Sequence, residues 1–427
     1  MSQSRHMQDT LVSARLVSVR GATGCIGLVE LAAAADWPAP SLEMVGFTID
    51  QGVRQAQQTT LAQYSAQLHN VRVVSGMAGI GDLARGEYIC DSVHENRARL
   101  KKVWYTKYGL HLDEGDTCRF HCGAGEPLQV ANAICFFGWE NRNYAHWLSE
   151  KLGRFYWINQ AGLPDDTVVL VEAGLPKSIM DSLALFWPRA RTLCIQRGRA
   201  CDVAVLHYFS DTADIWEPSP GFTYRGDEYH LYPKAIAWMA ERVKARCKAV
   251  EGQGKAYLPR PPGGNGRAIV NQQELIYQLR DYGFQAFRPE QHDFASQVCC
   301  LAACDVAVLG SGAAAANALW MPRGAILVIL IQDSPQMWYW FFHALAAVVG
   351  VKVIYHRVKA LSSTHNVLFH QNVEVPIPEL CNWLSRLDGL GIKNGCGYGE
   401  MIPILDRLGA GLAQLREFKN AKRQSLS

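Results

Sequence analysis

From Ala268 to Ile331, apolar runs and helical patterns alternate at short, even intervals. The pattern predicts strand Ala268–Val270, helix Glu274–Tyr282, a strand near Ala286, helix Phe294–Ala303, strand Val306–Leu309, helix Ala313–Trp320 and strand Ile326–Ile331. Strands separated by a helix cannot pair as hairpins. Each crossover returns the chain in the same direction, so the succession predicts a doubly wound parallel sheet.

The first half mixes short apolar runs, Leu16–Val19, Leu42–Phe47, Val71–Val74 and Thr167–Val171, with helical patterns, an α/β texture. The turn-rich stretch DTADIWEPSPGFTYRG, Asp211–Gly226, precedes a helical segment from Tyr232 to about Val250 and marks a junction. A chain of 427 residues accommodates two domains of roughly 100–200 residues each, which places them at 1–229 and 230–427. With 49% hydrophobic residues and no fixed-period repeat, the chain has the material for packed cores and is neither a disordered polypeptide nor a solenoid.

A net charge of +3 is too small for a body-wide nucleic-acid footprint, so no nucleic-acid partner is expected and any anion site is local. The longest apolar runs, such as Ala325–Ile331, fall short of the ~20 residues that span a bilayer, which leaves at most peripheral membrane association. Thirteen cysteines at irregular spacings, without a secretory start, read as reduced thiols of a cytoplasmic protein. Cys118, His121 and Cys122 form a single short Cys-x3-Cys without a second pair; they are read as structural, and no metal is expected.

Leu16–Ala33, LVSVRGATGCIGLVELAA, reads as strand, glycine turn at Gly21, Gly24 and Gly27, then helix, with Asp50 closing the next strand-like run. Such a turn would bring backbone amides to a pyrophosphate, so one functional alternative is an NAD(P)-binding oxidoreductase. Short-chain dehydrogenases also carry a Tyr-x-x-x-Lys pair in that domain. Here that spacing occurs only at Tyr355 and Lys359, so the Rossmann-like start without a dinucleotide is preferred.

Two other segments carry more chemistry. Asn141–Phe155, NRNYAHWLSEKLGRF, reads as an Asn-capped helix with His146, Glu150 and Arg154 four residues apart on one face. The flanking Trp147, Phe155 and Trp157 bury part of that helix, where an imidazole or carboxylate can be tuned as acid or base. In the second half, Arg260 and Arg267 bracket a Pro/Gly loop suited to holding phosphate oxygens, and Asp305–Leu309 runs into Gly310-Ser311-Gly312-Ala313 and a helix, whose free amides attract an anion.

The order of these pieces, NYAHWLSEKLGRF, RPPGGNGRAIVNQQEL, GFQAFRPEQHDFASQV and ACDVAVLGSGAAAANALWMPRGA, resembles glycosyltransferase family 61, whose bacterial members include capsule and polysaccharide biosynthesis proteins. The resemblance covers about Asn141 to Tyr355. His146, Trp147, Glu150 and Arg154 match the family's helix; Arg260, Arg267 and Asn271 its arginine loop; Pro289, Glu290, Phe294 and Gln297 the next block. Gly312, Ala313, Asn317, Met321, Pro322 and Gly324 match the donor-side turn and helix.

The resemblance implies a GT-B-like α/β fold, two Rossmann-like domains facing a central cleft. It implies an inverting, metal-independent transfer from a nucleotide sugar to a glycan acceptor in capsule, lipopolysaccharide or exopolysaccharide biosynthesis, without a cofactor. His146 and Glu150 are then the catalytic candidates. Arg260, Arg267, Asn271, Glu290, Ser311, Gly312, Ala313 and Asn317 are the donor-binding ones, and Asn143, Trp147 and Arg154 lie on the acceptor side. Ser311 stands where the family has a histidine and Ala314 where it has a glycine. Ile329 replaces the acidic residue that usually ends the following strand, so a catalytically silent, glycan-binding relative is a further alternative.

Overall fold

The computed structural model describes residues 11–37, 43–45, 58–60, 62–91, 110–113, 115–138, 140–215, 229–249, 254–261, 267–332, 339–361 and 371–388. Asp50 and most of the turn-rich stretch at 216–226 lie outside them. The chain divides into two compact units, one of 1–40 and 51–239, the other of 41–50 and 240–427.

The first unit is built on an eleven-stranded mixed sheet. Four neighbouring strands, Thr192–Ile195, Val168–Glu172, Ala124–Cys135 and Arg199–Phe209, are parallel. Numbered along the chain from Ala124–Cys135, they lie in the order 3-2-1-4. The long strand Gln63–Val74 joins Arg199–Phe209 antiparallel, and most of the remaining strands extend the sheet antiparallel beyond it. Leu68, Leu170, Cys201, Val203 and Leu206 form its core.

The Rossmann-like start expected at Leu16–Ala33 does not form. After a single tight turn at Val19–Gly21, Cys25–Ala32 is a strand, antiparallel to Gln63–Val74. The helix-forming residues Leu28, Glu30 and Ala32 yield to pairing with a long neighbouring strand. The dinucleotide reading therefore loses the helix N-terminus on which it depended.

The second unit carries a parallel sheet in the order Phe284–Ala286, Gly254–Leu258, Cys304–Gly310, Ile326–Gln332, Lys352–Ala360, with Val373–Glu374 antiparallel at one edge and Glu43–Val45 parallel beside Lys352–Ala360. The five main strands stand 2-1-3-4-5, the doubly wound arrangement expected from the alternation. Ile326–Gln332 is buried along its whole length, as a central strand covered on both faces must be. Helices Gln272–Arg280 and Phe294–Ala302 are the crossovers, the second capped by Asp293, whose carboxylate accepts from Ser296 N at 2.8 Å.

Three details differ from expectation. The first parallel strand is Gly254–Leu258, before the Pro/Gly loop, whereas Ile269 makes only an isolated bridge to Val373. Lys255 hid that strand: its side chain is buried, and its ammonium donates to Tyr282 O at 3.2 Å. Ala313–Trp320 winds as a 3-10 helix, the small Ala315, Ala316 and Ala318 being fully buried. Finally, Ile329 lies in mid-strand, opposite Leu309; the strand ends at Gln332, and Asp333, next in the sequence, lies outside the described residues. Among the described residues, no helix is long and apolar enough to cross a membrane.

Candidate functional site

In a 2-1-3-4-5 sheet the chain leaves strands 1 and 3 toward opposite faces, and a crevice opens outside their carboxyl ends. In the second unit those strands are Gly254–Leu258 and Cys304–Gly310; Arg260 follows the first after Pro259, and Ser311 follows the second directly. Arg260 spans the switch point: its Nη1 donates to Ser311 O at 2.7 Å. Its backbone is fixed independently by Gln272, which accepts from Arg260 N at 2.6 Å and donates to Arg260 O at 2.9 Å. A Cβ on Gly312 would lie 3.2 Å from Arg260 Nη1, so glycine is what lets the guanidinium lie against that turn.

Burial and the nearby Arg267 bring the Arg260 guanidinium down to about 10. Arg267 itself has φ 62°, a left-handed conformation that is uncommon for a side chain of this size and marks stored strain. Two cations are thus brought together at the switch point of this sheet.

The other donor-side candidates are distributed differently. Ser311 is buried, its N–H donating to Leu330 O, and Ala313 begins the 3-10 helix. Asn317 is buried and accepts from Trp320 Nε1 at 3.1 Å. Asn271 engages both ends of its amide with Val375, donating to its carbonyl at 2.8 Å and accepting from its N–H at 3.0 Å. Glu290 is exposed on the Pro289–Gln291 turn.

In the first unit, the chain leaving Ala124–Cys135 turns into the segment with His146. Asn143 caps it, its Oδ1 accepting from Ala145 N at 3.1 Å. The expected continuous helix is instead a short α turn at Tyr144–His146, a π turn at Trp147–Lys151, a 3-10 turn at Leu152–Arg154 and a second α turn at Phe155–Ile158. Such π insertions recur at functional sites because they redirect side chains.

His146 and Glu150 stay together, Nδ1 to Oε1 at 2.8 Å, with 8% and 14% of their side chains exposed. Arg154 leaves the stripe: its Nη1 donates to Cys135 O at 2.9 Å and its guanidinium lies over Phe136, 4.7 Å from the ring centroid. Trp147 is fully buried and donates to Ser182 Oγ at 2.9 Å. Thr212 ties this segment to the end of Arg199–Phe209, its Oγ1 donating to Ser149 O at 2.6 Å and its N–H to Glu150 O at 3.1 Å.

Sequence reasoning missed Gln272, Lys151 and Asp211. Lys151 is buried and pairs with Asp211, which Arg154 also approaches at 3.6 Å. A lysine adjoining Glu150 on a helix reads as solvated unless the π turn is known. The sequence signal for Asp211 was only its place in a turn-rich stretch.

A carboxylate-paired imidazole and a partly desolvated arginine beside a second arginine are the parts of a proton-transfer and an anion-stabilising device. No curated protein matches the chain at a significant level. Residues 144–328, from the His146 segment of the first unit into the Ile326–Gln332 strand of the second, match the family model for glycosyltransferase 61, and the chain is a glycosyltransferase.

Proposed function

We propose that the protein is an inverting, metal-independent GT-B-type transferase. It moves a sugar from a nucleotide donor, held by the second unit, to a glycan acceptor, held by the first, in bacterial capsule, lipopolysaccharide or exopolysaccharide synthesis. It acts in the cytoplasm with at most peripheral membrane contact. The observation that carries the donor half is Arg260 beside Arg267 at the switch point of the parallel sheet. The two cations repel each other and Arg260 has lost hydration, and a diphosphate relieves both.

In this reading the acceptor hydroxyl attacks the anomeric carbon as the nucleoside diphosphate leaves, through a transition state with oxocarbenium character. Glu150 accepts from His146 Nδ1 and so fixes the tautomer in which Nε2 takes the acceptor proton. Charge gathering on the leaving diphosphate meets Arg260, Arg267 and the amides that follow Ser311. Gly312, Ala313, Asn317, Asn271 and Glu290 complete the donor side of the proposal, Asn271 through the Val375 backbone it fixes.

A thermal-shift series with UDP, GDP, CMP and their sugars in EDTA tests it. A shift with one nucleoside diphosphate that survives EDTA and disappears in Arg267→Ala supports the reading. The absence of any nucleotide shift removes the donor site.

A further inference from the structure

The first unit has a switch point of its own. In the order 3-2-1-4, strands 1 and 4 are Ala124–Cys135 and Arg199–Phe209, and the segments leaving their carboxyl ends are 136–143 and 210–212. Residues 140–143 are clamped by their neighbours: Arg142 Nε donates to Glu172 Oε1 at 2.9 Å, and Asn143 caps the following turn. Between these clamps Asn141 is held 3% exposed, and both atoms of its amide are buried without a hydrogen-bond partner among the described residues. The fold imposes the position of Asn141, whereas its amide contributes nothing to holding it there. A buried amide left this way destabilises the fold, and such groups persist where something else requires them.

The amide faces a specific point. A Cβ on Gly138 would lie 2.8 Å from Asn141 Oδ1 and 3.1 Å from Lys151 Nζ, so the two groups converge where Gly138 has no side chain. Lys151, with 8% of its side chain exposed, pairs with Asp211, and the 37% exposure of Asp211 gives the cluster its open side.

We propose that Gly138, Asn141, Lys151 and Asp211 form a subsite for a neutral, hydroxyl-bearing sugar ring of the acceptor; this rests on the transferase reading above. The donor and acceptor inventory selects the ligand. A sugar hydroxyl donates to Asn141 Oδ1 or Asp211 and accepts from Asn141 Nδ2 or Lys151, and adjacent hydroxyls do both at once. An anionic group would meet the Asp211 carboxylate, and an apolar one would leave the Asn141 amide unpaired.

The test is ligand-observed NMR titration of the full chain with cellobiose, lactose and maltose, together with thermal melts. At least one disaccharide is expected to bind the wild type. Asn141→Leu, of similar volume, is expected to weaken that binding at least tenfold while holding or raising Tm, a pairing that loss of a structural hydrogen bond does not produce. If Asn141→Leu fails to fold, Gly138→Ala, which fills the point between the amide and the ammonium, carries the same expectation for binding. Equal binding by the wild type and these variants, or no binding of any of the three sugars by the wild type, overturns the subsite. UDP and GDP titrated into the same samples separate the two readings. Nucleotide binding without the sugar result removes only the subsite. Sugar binding lost in the variants, without nucleotide binding, keeps the subsite and removes the donor reading.

Discussion

Replacing Arg260 by Met separates what that residue does for the fold from what it does for the ligand. The backbone at 260 is held on both sides by Gln272, so the turn survives loss of the side chain. The substitution removes the 2.7 Å bond to Ser311 O, a charged hydrogen bond contributing about 1.5–3 kcal/mol. It also removes a cation that the fold disfavours. With the guanidinium at about 10, and about 1.4 kcal/mol per pH unit, the charged form is disfavoured by about 3 kcal/mol at neutral pH. For a base, a lowered folded value means that folding destabilises the charged form relative to the unfolded chain, although Arg260 stays charged at neutral pH, so deleting the charge is stabilising. The two effects nearly cancel, and the free variant is expected to melt within a few degrees of the wild type. Ligand binding has no such compensation. Losing one charge-assisted contact of about 2 kcal/mol weakens a nucleoside diphosphate about 30-fold. At a concentration about 100 times the wild-type Kd, the ligand stabilises the wild type by about 2.7 kcal/mol and the variant by about 0.9 kcal/mol. At about 2–4 °C per kcal/mol, a shift of about 5–10 °C falls to about 2–3 °C. Differential scanning fluorimetry with and without UDP or GDP measures this. An undiminished shift in the variant would refute the reasoning.

Other consequences follow from the same geometry. His146→Ala is expected to lower kcat by about 10²–10⁴, with Glu150→Gln losing less because it orients the imidazole; equal rates for wild type and both variants would remove the pair from catalysis. Asn271→Ala loses both bonds to Val375, about 2–3 kcal/mol together, and is expected to lower Tm while leaving the nucleotide shift in place; a normal Tm with a lost shift would instead make Asn271 a direct ligand contact. Burial lowers the imidazoles of His121, His207 and His356, so each contributes stability that is complete above about pH 6.5 and is lost as pH falls through its lowered folded value. Melts from pH 7.5 to 5 are expected to show a falling Tm, flattened in His207→Gln; identical slopes would contradict the assignment.

The second unit was legible in the sequence because a parallel sheet writes itself as apolar runs between amphipathic helices. Phe294–Ala302 and Ile326–Gln332 agree with the pattern to within a residue or so at each end. The strand that escaped, Gly254–Leu258, begins with Gly and Lys, and its apolarity depends on burying a lysine stem beneath Phe284. The first unit was harder because antiparallel strands such as Cys25–Ala32 take their form from a partner, and the partner strand begins over thirty residues away. At the site, Arg260 was visible from the Pro/Gly loop that it brackets with Arg267, and Ser311 and Gly312 because they come straight after a strand that the alternation marks. Lys151 and Asp211 were not, because a π turn inside a helix leaves no mark in the spacing and only the fold joins residues sixty positions apart. The same turn broke the His146–Glu150–Arg154 stripe and took Arg154 to Cys135.

The central claim is that this chain transfers a sugar from a nucleotide without a metal, using cations at the switch point of its second unit. The most direct measurement is release of nucleoside diphosphate from UDP- and GDP-sugars in EDTA, in the presence of a mixed oligosaccharide acceptor pool. The account predicts release from one nucleotide series, undiminished by EDTA and at least tenfold lower in both Arg260→Met and His146→Ala. Release that requires an added divalent cation, or that is unchanged in both variants, would contradict it.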